Sequence, residues 1–469
     1  MIRVSTFKDR TVAVFGLGAS GLATVRALVE GGARVAAWDD SEPGREAAAE
    51  AGVPLVDLSA ADWSEFAALV LAPGVPLTHP EPHWTVKAAN AAGVDVIGDV
   101  ELFFRERAAV CPAAPVVAIT GTNGKSTTSA LIAHVLAELG ADVQLGGNIG
   151  RALLTLEPFA ENRVYVLELS SFQIDLAPSV RPTVGVLLNI SPDHIDRHGT
   201  VEHYADVKRR LVDAAETTAV IGIDDPWSAD IARTLEARGG RVRRISVGER
   251  AGDGISASEG KLYDSTPAEE EKVAADLDGI ATLRGRHNWQ NAAAAVAAVG
   301  ALPEAVRGTG DIAAALRTFP GLAHRLEVVR RIDGVDFIND SKATNADSTE
   351  KALASFAGDI YWIAGGRPKA GGIGSLGYYF PRVTRAYLIG ESMHEFGNTL
   401  EGKVDFERCG TLDVAVRRAA ADARAAGHEG SVVLLSPACA SFDQFRNFEV
   451  RGDAFKAIVA ELASEDAAP

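Results

Sequence analysis

The sequence predicts an α/β protein of three domains in series. These are a Rossmann-like N-terminal domain over residues 1–110, a central P-loop ATPase-like domain with a parallel sheet over 111–320, and a C-terminal Rossmann-like α/β domain over 321–469. Three observations carry that expectation. Short apolar runs of strand length alternate with helix-period segments along the chain, the pattern of parallel sheets covered by helices. Two strand-to-helix junctions are glycine-rich loops, at 16–21 and 121–124. The 469 residues also match about three domains of ordinary size.

In the first domain, Thr11–Phe15, Arg34–Trp38 and Leu69–Ala72 read as strands, and Ser20–Glu30 reads as a helix stopped by Gly31-Gly32. The loop Gly16-Leu17-Gly18-Ala19-Ser20-Gly21 joins the first strand to that helix, and Asp39 and Asp40 close the second strand. This is the dinucleotide-binding layout: glycines bring backbone N–H groups and a helix N-terminus to a diphosphate, and the later carboxylate meets a ribose hydroxyl. NAD or a UDP-sugar would satisfy it equally, and close helix–strand packing is the ordinary alternative use of the glycines. Pro73-Gly74 falls at the carboxyl end of the third strand, where ligands of parallel sheets sit. Cys111-Pro112-Ala113-Ala114-Pro115 reads as a linker.

The central domain opens with the apolar strand Val116–Ile119, the loop Thr120-Gly121-Thr122-Asn123-Gly124-Lys125-Ser126-Thr127, and a helix pattern from Thr128 to Leu139. Loop N–H groups cradle phosphates, Lys125 reaches the terminal ones, and a Ser126 or Thr127 hydroxyl ligates Mg²⁺. Ile119 stands where the commoner phosphate loop has its first glycine, so the loop is shorter than usual. Further strands are expected at 164–169, 183–189 and 218–223. Glu168 interrupts the first of these apolar runs; a carboxylate there suits a metal beside the phosphate loop, and an exposed or capping role is the alternative. The run Asn189 to His198 gathers Asp193, His194, Asp196 and His198, which has metal-ligand chemistry without zinc-ligand spacing.

A helix follows with Tyr204, Val207, Leu211 and Val212 on one face, and Lys208 falls inside that stripe. On the residues alone, a stem lying along the stripe with its ammonium in water is the favoured reading. The other is a buried lysine that loses its proton and adds CO₂ to become an anionic carbamate. Gly285-Arg286-His287-Asn288, with Asn291, opens a helix after a strand expected around Ile280–Leu283. In the third domain Asp333-Gly334 marks a hairpin, and strands are expected at 360–364, 385–389 and 431–435.

Composition narrows the functions. The net charge is −17, without a basic tail, which argues against nucleic acid or an anionic membrane as partner. Anionic ligands must then be met by isolated cations inside motifs. No apolar run approaches the roughly 18–20 residues that span a bilayer, and the N-terminus enters a strand without a signal-peptide layout. A cytoplasmic protein is expected, with a monomer as the default. Cys111, Cys409 and Cys439 form neither a disulfide framework nor a CxxC pair and read as reduced thiols.

Taken together, TGTNGKSTT at 120–128, ELSSFQ at 168–173, NISPDHIDRH at 189–198, the Lys208 helix, GRHNWQN at 285–291, HRLE at 324–327 and NDSKATN at 339–345 resemble the ATP-dependent Mur ligases of peptidoglycan synthesis. The GLGASG start, GGNIG at 146–150, Gly365-Gly366 with Lys369, and the run 435–455 point to the D-glutamate-adding branch. The resemblance covers all three parts of the chain.

It implies an enzyme that joins D-glutamate to UDP-N-acetylmuramoyl-L-alanine through an acyl phosphate, using ATP, Mg²⁺ (two ions) and CO₂ as a carbamate on Lys208. Gly18, Ala19, Ser20, Asp39, Asp40, Pro73 and Gly74 would bind the UDP part, with Asn148 and His194 nearer the reacting end. Gly121, Thr122, Asn123, Gly124, Lys125, Ser126 and Thr127 would hold ATP phosphates, with Asn288, Asn291, Arg325 and Asp340 on the rest of the nucleotide. Ser126, Thr127, Glu168, His194 and carbamylated Lys208 would hold metal; Lys125, Glu168, His194 and Lys208 would be the catalytic set. Lys342, Thr344, Lys369, Ser436 and Phe442 would receive the amino acid, two lysines suiting two carboxylates. The Pro368-Lys369-Ala370-Gly371-Gly372 stretch departs from the commoner family version, so Lys369 is the weakest of these carry-overs. The alternatives are another Mur-family or folylpolyglutamate-type ligase, an NAD-dependent dehydrogenase resting only on residues 16–40, and a non-catalytic nucleotide-binding regulator.

Overall fold

The computed structural model describes residues 1–265, 271–368 and 371–465. Lys369, expected in the amino-acid pocket, lies outside the described residues. The chain forms two compact units: Met1–Asp278 with Trp289–Phe319, and Gly279–Asn288 with Pro320–Pro469.

The first unit contains two sheets. The smaller is parallel, in the order Arg34–Trp38, Thr11–Phe15, Leu69–Leu71, Val96–Ile97. Its central strands are apolar on both faces, as a sheet covered by helices requires. The helix Ala19–Glu30 leaves the first strand through the glycine loop. Gly16 has φ +94°, and a Cβ at Gly21 would stand 1.9 Å from the Gly16 carbonyl oxygen, so the helix approaches the strand only because Gly21 has no side chain.

The larger sheet has nine strands. Val116–Thr120 runs parallel between Arg163–Glu168 and Val184–Leu187, in register Ile119 to Glu168 and Thr120 to Leu187. Asp142–Gly147 forms one edge; Thr218–Gly222, Val242–Ser246 and Gly254–Ser258 extend the other in parallel. Lys261–Ser265 and Lys272–Asp276 then finish it as an antiparallel pair. That edge lacked a readable apolar run: Gly254–Ser258 is Gly-Ile-Ser-Ala-Ser and Lys272–Asp276 carries charge at both ends. A continuous buried cluster, including Ile2, Val14, Leu28, Phe103, Val116, Tyr165 and Leu211, draws on both sheets.

In the second unit the sheet order is Glu327–Ile332, Val335–Asn339, Val432–Leu435, Ile360–Gly365, Val383–Ile389, Phe406–Gly410. The first pair is the expected antiparallel hairpin and the remaining pairs are parallel. One expectation fails here. Ala281–Leu283 is a 3₁₀ turn, not a strand, because Gly279 and Gly285 both take positive φ and break the extended run. Among the described residues no helix is long and apolar enough to cross a membrane.

Candidate active site

The loop after Val116–Thr120 is shaped by its two glycines. Gly121 has φ +154° and Gly124, at +85°, is the N-cap of the helix Lys125–Glu138. A Cβ on Gly124 would lie 2.4 Å from Asn291 Oδ1, which also accepts from Thr128 Oγ1 at 3.1 Å. Asn291 therefore packs against the loop. Asn189 clamps the other side: its Oδ1 accepts from the Asn123 N–H at 2.9 Å, and its Nδ2 donates to Asn123 O and to Gln290 Oε1. The Lys125 ammonium donates to the loop carbonyls of Gly121 and Thr122, both at 2.8 Å. Ser126 is buried and Thr127 half-buried in the first turn of the helix.

Glu168 stands beside this loop by sheet register and is 1% exposed, so the exposed or capping role is excluded. Its Oε1 accepts from Asn148 Nδ2 at 2.9 Å, while its buried Oε2 has no hydrogen-bond partner among the described residues. A buried carboxylate oxygen left unsatisfied is costly unless a cation meets it, so this position fits a metal.

Lys208 corrects the reading made from its stripe alone. The amine does not reach water; the residue is 1% exposed, and Nζ donates to Thr120 Oγ1 at 3.1 Å and Gly121 O at 2.9 Å, with the Tyr204 ring 4.7 Å away. From the helix Val201–Asp213 the stem runs inward to the end of the central strand and the loop after it. Burial, reinforced by the Lys125 ammonium, holds the Lys208 amine well below its ordinary range, against the opposing pull of Asp193 and Glu168. His194 is about half-exposed, at φ +53°, with Nε2 3.3 Å from Asp193 and its ring 4.9 Å from that of Phe172.

In the smaller sheet, both expected carboxylates are occupied. Asp39 Oδ2 accepts from the Leu17 N–H at 2.7 Å and Oδ1 from the Ser41 N–H, so Asp39 holds the glycine loop itself. Asp40 meets His83 Nε2 at 3.1 Å and Trp84 Nε1 at 3.2 Å. Ser20 Oγ donates to the buried Asp99, whose carboxyl is pushed up by burial. Gly18 caps the helix and Ala19 begins it. The carbonyls of Pro73 and Gly74 accept from Arg197, which tethers that loop to the segment carrying His194.

In the second unit, Asn288 is buried and its Nδ2 donates to Arg284 O. Asp340 and Ser436, expected at different ligands, bond to each other at 2.8 Å; Asp340 also accepts from the Leu326 N–H. Burial pushes the Asp340 carboxyl up to about 7, opposed by those bonds and by Arg325 and Arg451. Lys342 Nζ lies 4.7 Å over the Phe448 ring, the Thr344 N–H donates to Lys342 O, and Phe442 is exposed.

Sequence reasoning missed the roles of Thr120, Gln290, Arg197, Asp99, His83 and Trp84. The only advance signal was Thr120, a polar residue closing an apolar strand.

A parallel sheet, a glycine loop with lysine and hydroxyls at a helix N-terminus, and a buried carboxylate beside it define a phosphate-loop nucleotide-dependent enzyme. Comparison with known proteins narrows this class. Residues 10–98 match the Mur ligase MurD-like N-terminal domain, 119–299 the Mur ligase middle domain, and 324–439 the Mur ligase glutamate ligase domain. A protein of Nitrobacter hamburgensis named UDP-N-acetylmuramoylalanine--D-glutamate ligase is 58% identical over 464 residues, 98% of each chain. One of the same name from Brucella abortus is 56% identical over 462 residues, again 98% of each. Among solved structures, MurF ligase from Thermotoga maritima in complex with ADP aligns with TM-score 0.59 at 17% identity, over 99% of this chain and 100% of that one. MurC from the same organism aligns at 0.56 and 18%, over 97% and 99%. This chain belongs to the Mur ligase family. The matches do not favour the dehydrogenase alternative.

Proposed function

We propose that this protein is an ATP-dependent ligase adding D-glutamate to UDP-N-acetylmuramoyl-L-alanine, a cytoplasmic step of peptidoglycan synthesis. The observation that carries the chemistry is the buried group of Lys208 and Glu168 beside the glycine loop, with Glu168 Oε2 unsatisfied. The three separate sheets support a division into domains near residues 110 and 320.

The substrate's terminal alanine carboxylate attacks the γ-phosphorus of ATP; a new O–P bond forms, the β–γ bridge breaks, and ADP departs. The amine of D-glutamate then attacks the acyl phosphate, a C–N bond forms, inorganic phosphate leaves, and the amine's proton passes to a base. Loop N–H groups and Lys125 stabilise charge growing on phosphoryl oxygens. Ser126, Thr127, Glu168, His194 and carbamylated Lys208 would hold two Mg²⁺ ions, which supply further charge neutralisation when bound. A neutral buried Lys208 amine is the species that adds CO₂, forming an N–C bond and releasing one proton. Lys342, Thr344, Ser436, Phe442 and Lys369 are proposed to receive the amino acid. Asn288, Asn291, Arg325 and Asp340 are proposed for the nucleotide, and Gly18, Ala19, Ser20, Asp39, Asp40, Pro73, Gly74 and Asn148 for the UDP-linked substrate.

The test is phosphate release from MgATP and UDP-N-acetylmuramoyl-L-alanine, offering D-glutamate, L-glutamate, L-alanine and meso-diaminopimelate separately. Release with D-glutamate alone is expected. Release only with another amino acid moves the enzyme within its family, and no release with any of them overturns the reading.

A further inference from the structure

Beside the proposed Mg²⁺ centre, the ends of three helices bring Asp175, His198 and His203 together. One ligand atom from each lies within 4.8 Å of the other two. Asp175 ends the helix Ser171–Asp175, His198 ends Ile195–His198, and His203 sits in the first turn of Val201–Asp213. None of the three has a role in the ligase chemistry above.

The state of His198 points to a missing ligand. Its ring is 2% exposed and stacked on Phe172, with centroids 5.3 Å apart and planes 8° from parallel. Nε2 lies 2.9 Å from Ser171 Oγ, whereas Nδ1 is buried without a hydrogen-bond partner among the described residues. An imidazole fixed through one nitrogen and unsatisfied at the other is how metal-ligating histidines are held. Asp175 is oriented in the same manner: Oδ1 accepts from Arg210 Nη2 at 2.9 Å, and a carboxylate has a second oxygen to offer. His203 is exposed, so an ion has a route in from solvent.

We propose that Asp175, His198 and His203 form a second cation site, selective for a borderline transition ion of the Zn²⁺ class and distinct from the Mg²⁺ centre. Two imidazoles and one carboxylate, with solvent completing the shell, suit Zn²⁺; Mg²⁺ prefers oxygen ligands and keeps its waters. The ion would tie three helix ends together and fix the turn carrying His194, four residues before His198. Phe172, whose ring touches both histidines, is the packing link.

The experiment titrates ZnCl₂ into metal-stripped full-length protein in excess MgCl₂, by calorimetry and elemental analysis. One tightly held equivalent that Mg²⁺ does not displace is expected. His203→Ala changes an exposed side chain and should weaken zinc by at least about tenfold while leaving the melting temperature of the zinc-free protein unchanged. Asp175→Asn should act alike, and Glu168→Gln should leave zinc binding intact. With Co²⁺ as probe, visible ligand-field bands should appear in the wild type and fade in His203→Ala. Absence of zinc binding, binding indifferent to His203→Ala, or binding lost instead in Glu168→Gln would each overturn the site.

Discussion

Lys208 is enclosed by the central strand, the loop and Tyr204, and its nearest hydrogen-bond partners are oxygens that accept from it. Burial of the ammonium disfavours its charged form, which is the direction the proposed CO₂ adduct needs, since only the neutral amine adds CO₂. Lys208→Met keeps the stem's volume and removes the nitrogen. Its melting temperature should stay near that of the wild type while phosphate release falls by at least about a thousandfold; retained turnover would show that no charge at 208 is needed. ¹³C-bicarbonate should give the wild type a carbamate carbon resonance that Lys208→Met lacks. Glu168→Gln tests the partner group: it should raise the Mg²⁺ concentration required for half-maximal rate by about tenfold or more. An unchanged Mg²⁺ dependence would remove Glu168 from the metal.

His287 supplies a pH dependence with a definite sign. Burial, with Lys351 and Arg325 nearby, lowers its pKa from 6.5 to about 4. The folded protein therefore keeps this ring neutral where the unfolded chain has already taken a proton. Its stabilising contribution is complete above pH 6.5 and is lost as pH falls from there towards about 4, on the order of 1–3 kcal/mol in all. His287→Gln should flatten the loss of melting temperature between neutral pH and pH 5, and an unaltered slope would assign the acid sensitivity elsewhere.

At the scale of elements, the phosphate loop was legible because its glycines are required by geometry. Gly124→Ala would place a methyl carbon 2.4 Å from Asn291 Oδ1 at a backbone φ of +85°. Both the contact and the strain resist it, at roughly 1–3 kcal/mol for the backbone alone. ATP affinity of Gly124→Ala should fall at least tenfold by calorimetry, and unchanged affinity would mean the loop tolerates a different path. Glu168 was noticed because it interrupts an apolar run and Lys208 because it falls inside an apolar stripe, although the stripe alone favoured an ammonium in water, which its burial excludes. Less legible were features assembled across the sequence. Asp175, His198 and His203 meet only when three helix ends converge, and Gln290 reaches Asn189 across 101 residues. Asp142–Gly147, Val242–Ser246 and the strands beyond it escaped notice because their apolar residues are few or broken by glycine and charge, unlike those of a strand buried in the middle of a parallel sheet. Ile280–Leu283 erred the other way, an apolar run too short to be told from a turn.

At the scale of the whole molecule, charge was legible from composition but its consequence depends on where the cations sit. The chain carries −17 overall, yet its proposed substrates are a nucleoside triphosphate, a UDP-sugar and a dicarboxylate. The positive groups assigned to them are few and recessed: Lys125 folds onto loop carbonyls and Lys342 lies over the Phe448 ring. At distances beyond a Debye length, about 8 Å in physiological salt, an approaching anion meets the net negative field. Salt should therefore speed encounter by screening repulsion, opposite to a protein that steers anions with a basic face. In stopped-flow binding of UDP-N-acetylmuramoyl-L-alanine, the association rate should rise several-fold between low and physiological ionic strength, then level off as local attraction is screened too. A steady fall with salt from the lowest concentration would mean that the recessed lysines dominate the field at the site's mouth, and that net charge says little about capture.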